Sequence, residues 1–247
     1  RVLFRSQSAQ FIGEFYKRAS SAAKKTVGVD YEIIFVNDGS PDNSLDLAIK
    51  LTSKDKNVVV IDLSRNFGHH RAMMTGLAHA KGDLIFLIDS DLEEQPEWLP
   101  EFAIAMQNES ADVIFGIQKN RKGKWFERWS GKIFYLLFNF LANIKHPKNI
   151  VTARLMTRDY VQALLLHKET EMVISCLWVI TGFRQIARPV KKLMHSESTY
   201  TFSKKMSHVV NSITSFSVIP LILIFYVGLI IFFLALLWVV YLIFLRY

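Results

Sequence analysis

The feature that most limits how this chain can fold is a long apolar run near its end. From Val218 to Leu245 the sequence reads VIPLILIFYVGLIIFFLALLWVVYLIFL, 28 positions without a charged residue. At about 1.5 Å per residue, a helix of this length exceeds the roughly 30 Å hydrocarbon core of a bilayer. A core helix of a soluble protein rarely lacks a polar face over such a length. We therefore predict that residues 218–245 form a transmembrane helix.

Two stretches before this run combine basic residues with aromatic or apolar ones. The chain carries 30 lysines and arginines against 22 acidic residues, a net charge of +8, which suits an anionic membrane surface or nucleic acid. Residues 119–145 are predicted to form a helix on the membrane surface, with a solvated basic face or an RNA-binding segment as the alternatives. Residues 203–217 predict an amphipathic juxtamembrane helix. Given the transmembrane run, we expect a membrane partner and no nucleic acid.

Ahead of residue 118, short apolar runs alternate with helical patterns. Nearly uninterrupted apolar strands alternating with helices predict an α/β fold with a mostly parallel sheet flanked by helices. In such folds ligands bind at the carboxyl ends of the strands. The predicted strands cover 31–37, 58–63, 83–89 and 111–117, and the predicted helices cover 7–25, 44–54, 69–80 and 96–107.

An acidic pair follows the third predicted strand, in the stretch FLIDSDLEEQPEWL. Asp89 and Asp91 are two residues apart, so in an extended segment their carboxylates point the same way. Two carboxylates that share a site favour a hard divalent cation, Mg²⁺ or Mn²⁺. An EF-hand loop is excluded because its sixth and twelfth positions would be Glu94 and Pro100. A cation bound by so few protein ligands takes its remaining ligands from substrate phosphates and water, which points to a nucleoside diphosphate. The alternative is that Asp89 and Asp91 are solvated residues of a turn.

The sequence lacks the residue patterns of several other kinds of functional site. The sequence has neither a Gly-x-Gly-x-x-Gly motif nor a glycine-rich Gly-Lys-Ser/Thr loop, which disfavours dinucleotide oxidoreductases and P-loop enzymes. His69, His70 and His79 have no cysteine or acidic partner at zinc-ligand spacing. Cys176, the single cysteine, cannot form an internal disulfide.

Five motifs carry a resemblance to a known family. In chain order they are VNDGSPDNS (36–44), LSRNFGHHRAMMTGLAHAKGD (63–83), LIDSDLEEQPE (87–97), TARLMTRDY (152–160) and SESTYTFSKKMSHVVNSITSFS (196–217). Together with the apolar run, they resemble the family 2 glycosyltransferases. The most similar branch is that of the polyprenyl-phosphate glycosyltransferases, such as dolichol-phosphate mannose synthase and bactoprenol glucosyltransferase. The resemblance implies a GT-A fold, and we expect a cytoplasmic catalytic domain over residues 1–202.

The resemblance also assigns roles by position. Asp38 would recognise the nucleoside, Asp91 would bind the metal directly, and Asp89 would contact the ribose or the water shell of the metal. Arg154 is expected to be catalytic, together with Asp89 and Asp91, by holding phosphate groups. The other expected substrate-binding residues are Gly39, Ser40, Arg65, Asn66, Gly68, Lys191, Lys192, Tyr200, Lys204 and Lys205.

The sequence departs from the family pattern in three places. A first strand ending in a Pro-x-Tyr-Asn-Glu-like motif is not seen, so part of the nucleotide pocket is expected to be missing from this chain. Many members have an aspartate near Phe-Arg-Leu, proposed as a base, where this chain has NIVTARL with Asn149 and Thr152. Ser196 and Thr199 replace residues of a Gly-x-Ser-Lys-Tyr-like motif. Loss of the aspartate does not forbid activity, because a phosphate monoester is largely dianionic at pH 7 and needs no base.

We therefore expect an enzyme that transfers one sugar from a nucleotide diphosphate sugar to a polyprenyl phosphate, with inversion at the sugar carbon. Lys204 and Lys205 precede the apolar run and only Arg246 follows it, which favours a catalytic domain on the cytoplasmic face of a bacterial inner membrane. A transferase for another lipid or a saccharide, and an inactive membrane-tethered protein that binds nucleotide sugars, are the alternatives. Packing against a second copy, as a homo-oligomer, is also open.

Overall fold

The computed structural model describes residues 9–118, 149–167, 174–193 and 219–246. Within these ranges the chain divides into two units. The first unit contains all the described strands and every described helix up to residue 180. The second contains the apolar helix over Ile219–Arg246.

The strands of the first unit form two sheets. β1 and β2 pair in parallel, and a four-stranded sheet has the order β3-β5-β4-β6. β5 runs antiparallel to both β3 and β4, while β6 is parallel to β4, so β3, β4 and β6 run in one direction. The strands are β1 (Ile33–Asn37), β2 (Val58–Asp62), β3 (Leu84–Leu87), β4 (Val113–Gln118), β5 (Ile150–Thr157) and β6 (Gln185–Val190).

The helices of the first unit are amphipathic and bury their apolar faces. In α1 the buried positions Ile12, Phe15 and Ala19 recur at helical spacing. Phe15 meets Phe35 of β1 edge to face, with ring centroids 6.4 Å apart. The helices are α1 (Ala9–Val27), α2 (Ser44–Thr52), α3 (His69–Ala78), α4 (Trp98–Glu109), α5 (Arg158–Leu165) and α6 (Ile174–Ile180).

The second unit's described helix, α7 (Ile219–Arg246), is apolar on all sides. Every side chain from Leu221 to Arg246 is exposed, and this is the one described helix long and apolar enough to cross a membrane. In water such exposure would be strongly unfavourable, because apolar area costs roughly 25 cal/mol per Å². The surface of α7 therefore suits lipid.

The predicted α/β class, with parallel strands flanked by helices, is confirmed. Each of the eight predicted strands and helices before residue 118 is present, with ends shifted by a few residues. β5, β6, α5 and α6 were not predicted. The predicted helices over 119–145 and 203–217 lie outside the described residues, as do Tyr200, Lys204 and Lys205.

Candidate active site

The turns that follow β1 and β2 pack directly against each other. The Oδ1 atom of Asp38 accepts a hydrogen bond from the backbone N–H of Phe67 at 2.7 Å, and its Oδ2 accepts one from that of Gly68 at 3.0 Å. Gly39 has a φ of +64°, and a Cβ atom there would lie 2.8 Å from the backbone N of Asn66. A side chain at position 39 would therefore separate the two turns.

The remaining predicted residues of these turns occupy varied environments. Arg65 is exposed and its guanidinium carbon lies 4.3 Å from the ring centroid of Phe67. Asn66 is exposed, and its side-chain oxygen accepts a second hydrogen bond from the N–H of Gly68 at 3.1 Å. Ser40 donates its backbone N–H to the side-chain oxygen of Asn37 at 3.2 Å. The turns thus present Arg65 and Asn66 to solvent around the buried carboxylate of Asp38.

The turn after β3 meets the same region through the start of α3. Gly68 is the residue before α3, and the next residue, His69, places its Nε2 atom 3.6 Å from Oδ1 of Asp89. Asp38, Asp89 and Asp91 are exposed by only 8%, 7% and 9%. The three predicted carboxylates are therefore buried at the carboxyl ends of β1 and β3 and do not point into bulk water.

Burial and mutual repulsion act on the acidic pair. Asp91 loses hydration and faces the charge of Asp89, and both effects raise the pKa of the Asp91 carboxyl group above its usual value. Its Oδ1 atom accepts the backbone N–H of Glu93 at 3.0 Å, which closes a tight turn in which Leu92 has a left-handed φ of +57°. Oδ1 of Asp89 is buried and has no hydrogen-bond partner among the described residues. A cation between the two carboxylates would relieve the repulsion.

Thr152 of β5 contacts Asp89 from the opposite strand. Its hydroxyl donates a hydrogen bond to Oδ2 of Asp89 at 3.0 Å, and its backbone N–H donates one to Oε1 of Glu94 at 2.9 Å. Glu94 is completely buried, and the loss of hydration, followed by the charge of Asp89, raises its pKa to about 8. Thr152 therefore connects two acidic residues of the turn after β3.

Lys192 supplies positive charge to the same turn. Its ammonium lies 3.0 Å from Oε2 of Glu93 and 3.9 Å from Oε1 of Glu94. The backbone N–H of Leu193 donates to the carbonyl oxygen of Glu93 at 2.8 Å, so the segment after β6 is fixed beside the acidic turn. Lys191, by contrast, has an exposed side chain. Of the two predicted substrate-binding lysines that the structure describes, Lys192 is already paired with protein carboxylates.

Arg154 occupies an unexpected environment. It lies on β5 opposite Leu87, is 1% exposed, and places its guanidinium carbon 3.0 Å from the ring centroid of Trp178. Both terminal nitrogens lack a hydrogen-bond partner among the described residues, and burial lowers the pKa of the guanidinium to about 9. A contact between Arg154 and a substrate phosphate stays a prediction. The burial of Arg154 leaves almost no guanidinium surface for such a contact.

The oxygen-rich turn fits a hard divalent cation. Asp89 and Asp91 supply carboxylate oxygens that Mg²⁺ and Mn²⁺ prefer, and Oδ1 of Asp89, which has no hydrogen-bond partner among the described residues, could coordinate such a cation. Within the described ranges, no cluster of three or more histidine, cysteine, aspartate or glutamate side chains has metal-site geometry. A cation here would therefore draw further ligands from a substrate or water.

Sequence patterns alone did not single out Thr152, Glu94, His69 and Trp178 as neighbours of this site. His69 was considered only as a zinc ligand, and Thr152 only as a departure from the family pattern. A weak signal for Glu94 was available, since it follows the aspartate pair and precedes a proline by two positions.

The parallel strands flanked by helices, with buried carboxylates at the carboxyl ends of β1 and β3, match the GT-A class of sugar transferases. The sequence profile of glycosyl transferase family 2 matches residues 9–165. The chain therefore belongs to glycosyltransferase family 2.

Two relatives agree with this membership. A Mycobacterium tuberculosis protein grouped with glycosyltransferases is 50% identical over 221 residues, 90% of this chain and 64% of that protein. The uncharacterized glycosyltransferase YkcC of Bacillus subtilis is 33% identical over 88% of this chain and 68% of its own length. The chain thus spans about two thirds of the length of these relatives.

Solved structures share the fold at low identity. The mannosyltransferase PcManGT of Pyrobaculum calidifontis, in complex with GDP-Man and Mn²⁺, has a TM-score of 0.58 and 14% identity over 85% of this chain and 61% of its own. Glucosyl-3-phosphoglycerate synthase of Mycobacterium tuberculosis, in complex with Mn²⁺, UDP and glucosyl-3-phosphoglycerate, has a TM-score of 0.55 and 16% identity over 87% of this chain and 76% of its own. At such identities the likeness shows the GT-A fold.

Proposed function

We propose that this chain transfers a single sugar from a nucleotide diphosphate sugar to a polyprenyl phosphate at the cytoplasmic face of a bacterial inner membrane. The observation that carries the proposal is the buried pair Asp89 and Asp91, which lies beside His69 and the Asp38 turn; among the described residues, Oδ1 of Asp89 has no hydrogen-bond partner. Buried like charges at the carboxyl end of a strand suit the diphosphate of a donor with its cation.

Asp91 and Asp89 would hold Mg²⁺ or Mn²⁺ at the donor diphosphate. When bound, this cation supplies positive charge that stabilises the departing nucleoside diphosphate. Asp38 fixes the turn that carries Arg65 and Asn66, and these two exposed side chains would contact the donor. Complexes of PcManGT and of the phosphoglycerate synthase with Mn²⁺ and a nucleotide support this choice of ligands.

The apolar surface of α7 supports a lipid acceptor. A helix whose side chains are exposed from Leu221 to Arg246 holds the chain at a bilayer, where the head group of a polyprenyl phosphate lies. The acceptor phosphate is largely dianionic at pH 7, because its second pKa is about 6, so it can attack without a general base. A single displacement of the nucleoside diphosphate inverts the configuration at the sugar carbon.

The test is a transfer assay on membranes that contain the full chain. Radiolabelled UDP-glucose, UDP-N-acetylglucosamine and GDP-mannose are each supplied with Mn²⁺ and either a polyprenyl phosphate or the polyprenol of the same length. We expect label in the polyprenyl phosphate only, since the alcohol lacks the dianionic nucleophile. If label is transferred to a saccharide or another lipid and not to polyprenyl phosphate, the proposed acceptor is wrong. Donor binding without transfer to any acceptor would identify an inactive binding protein.

A further inference from the structure

The contact between Asp89 and Thr152 is built into the register of two strands. β3 and β5 pair antiparallel, with Leu84 opposite Thr157 and Leu87 opposite Arg154. The same register, continued by two positions, places Asp89 opposite Thr152. Residues opposite each other in an antiparallel pair have Cβ atoms about 5 Å apart, so a threonine hydroxyl reaches a carboxylate there without distortion.

Each carboxylate oxygen of Asp89 has a different environment. Oδ2 accepts the hydroxyl of Thr152 at 3.0 Å, whereas Oδ1 is buried without a hydrogen-bond partner among the described residues and lies 3.6 Å from Nε2 of His69. A carboxylate that is held through one oxygen keeps one side-chain rotamer and offers the other oxygen in a fixed direction.

Thr152 is itself held in place. Its backbone N–H donates to Oε1 of Glu94 at 2.9 Å, and Glu94 is fully buried. The hydroxyl that contacts Asp89 therefore belongs to a residue whose main chain is fixed by a second residue of the same acidic turn. A fixed donor loses less entropy when it orients its partner.

We propose that Thr152 is a positioning residue: its hydroxyl fixes the carboxylate of Asp89 so that Oδ1 is directed at the divalent cation of the donor site. This inference rests on the proposed function, because it assumes that a cation binds at Asp89 and Asp91. Thr152 touches neither cation nor donor in this scheme. It acts through Asp89 alone.

The test is Mn²⁺ binding to the full chain in detergent, measured by the electron paramagnetic resonance signal of free Mn²⁺. Thr152→Val keeps the shape but removes the hydroxyl, and we expect it to weaken Mn²⁺ binding by about tenfold or more, the usual effect of removing such an outer partner. Thr152→Ser keeps the hydroxyl and should bind Mn²⁺ as the wild type does. Thr52→Val is the matched control, because the exposed hydroxyl of Thr52 donates a local hydrogen bond to the carbonyl of Ile49 at 2.8 Å.

Thermal unfolding of each variant separates positioning from folding. Thr152→Ala carries the same expectation as Thr152→Val and avoids any crowding by a second methyl group. The inference is overturned if folded Thr152→Val binds Mn²⁺ like the wild type, if the wild type binds no Mn²⁺, or if both hydroxyl-free variants fail to fold. Reduced Mn²⁺ binding in these variants, with no sugar transfer by the wild type to polyprenyl phosphate, would leave the inference intact and refute the acceptor instead.

Discussion

Asp38, at the end of β1, and Gly68, directly before α3, are joined by a hydrogen bond of 3.0 Å from the backbone N–H of Gly68 to Oδ2 of the carboxylate. Oδ1 of the same carboxylate accepts the N–H of Phe67 at 2.7 Å. Both oxygens are therefore used to hold a turn in shape. Any contact between Asp38 and a nucleoside adds to this structural role.

The first prediction concerns this double contact. In Asp38→Asn the side-chain NH₂ would face one of the two N–H groups, so a buried donor would lose its acceptor. We expect the free energy of unfolding to fall by about 1–3 kcal/mol, measured by urea denaturation. Asp30→Asn, at an exposed position, is the control. An unchanged stability, combined with weakened nucleotide binding, would assign Asp38 to the ligand alone.

The second prediction concerns the acidic pair. Asp91→Ala removes a carboxylate that is buried beside Asp89, and burial and repulsion already raise the pKa of the Asp91 carboxyl group. We expect sugar transfer to fall below detection while the protein stays folded in thermal unfolding, because the relief of like-charge repulsion offsets the loss of the hydrogen bond from the N–H of Glu93. Excess EDTA should abolish transfer by the wild type. Full transfer in either experiment would contradict the metal assignment.

The sequence predicts the first half of the fold well because apolar runs and turn residues coincide there. β1 is buried at all five positions and ends in the turn that begins at Asp38. Its apolar run and its end could therefore both be predicted from the sequence. β6 contains Pro189, which argues against a strand, yet β6 lies at the edge of its sheet, where a proline is tolerated. In β5, the buried Arg154 interrupts the apolar pattern, and the sequence instead predicts it as a residue that holds phosphate groups.

The site could be predicted only in part, because local sequence patterns do not show contacts between residues that are distant in the chain. The nearness of the acidic pair to the Asp38 turn could be predicted because both follow strands, and such folds bind ligands at the carboxyl ends of their strands. The environment of Glu94 does not, because a glutamate in a polar turn is normally solvated. Its burial depends on Thr152, 58 positions away, and on Lys192, neither of which a local pattern connects to it.

The third prediction is a pH dependence of stability that comes from Glu94. The glutamate has a pKa of about 4.3 in an unfolded chain and about 8 in the fold. Between these values the folded chain retains a proton that the unfolded chain has lost, so stability falls as the pH rises through this window and levels off above it. Glu94→Gln keeps an acceptor for the N–H of Thr152 but cannot ionise.

Thermal unfolding in EDTA from pH 5 to 9 checks this prediction. We expect the midpoint of the wild type to fall with pH, and that of Glu94→Gln to fall less. Asp91, whose pKa is also raised, contributes a slope of the same sign that remains in the variant. Glu101→Gln, an exposed change in α4, should follow the wild type. Parallel curves for the wild type and Glu94→Gln would refute the raised pKa.

The fourth prediction asks what Arg154 does. Its guanidinium stacks on Trp178 with no exposed surface, and a lysine ammonium cannot reproduce that planar contact. We expect Arg154→Lys to lower the free energy of unfolding by at least about 2 kcal/mol in urea denaturation, as for a buried charge without its contacts. A variant that keeps its stability but loses sugar transfer would instead favour the predicted phosphate contact.

The last prediction separates the two neighbouring lysines. Lys192 lies beside Glu93 and Glu94, and at pH 9, above the pKa of Glu94, its removal would leave a completely buried carboxylate without its cation. We expect Lys192→Met to lower the free energy of unfolding by about 1–3 kcal/mol, less than for a fully buried pair because Lys192 keeps partial exposure. Lys191→Met changes an exposed side chain and should stay within about 0.5 kcal/mol of the wild type.

The double variant Lys192→Met with Glu94→Gln tests the cause of this loss. If the cost of Lys192→Met at pH 9 arises from the buried charge of Glu94, then the double variant should be more stable at that pH than the sum of the two single effects implies. Strict additivity would mean that Lys192 acts only through Glu93. Because Lys192 is committed to these carboxylates, Lys191 is the better candidate of the two for an acceptor phosphate. Loss of sugar transfer in Lys191→Met at unchanged stability would support that assignment.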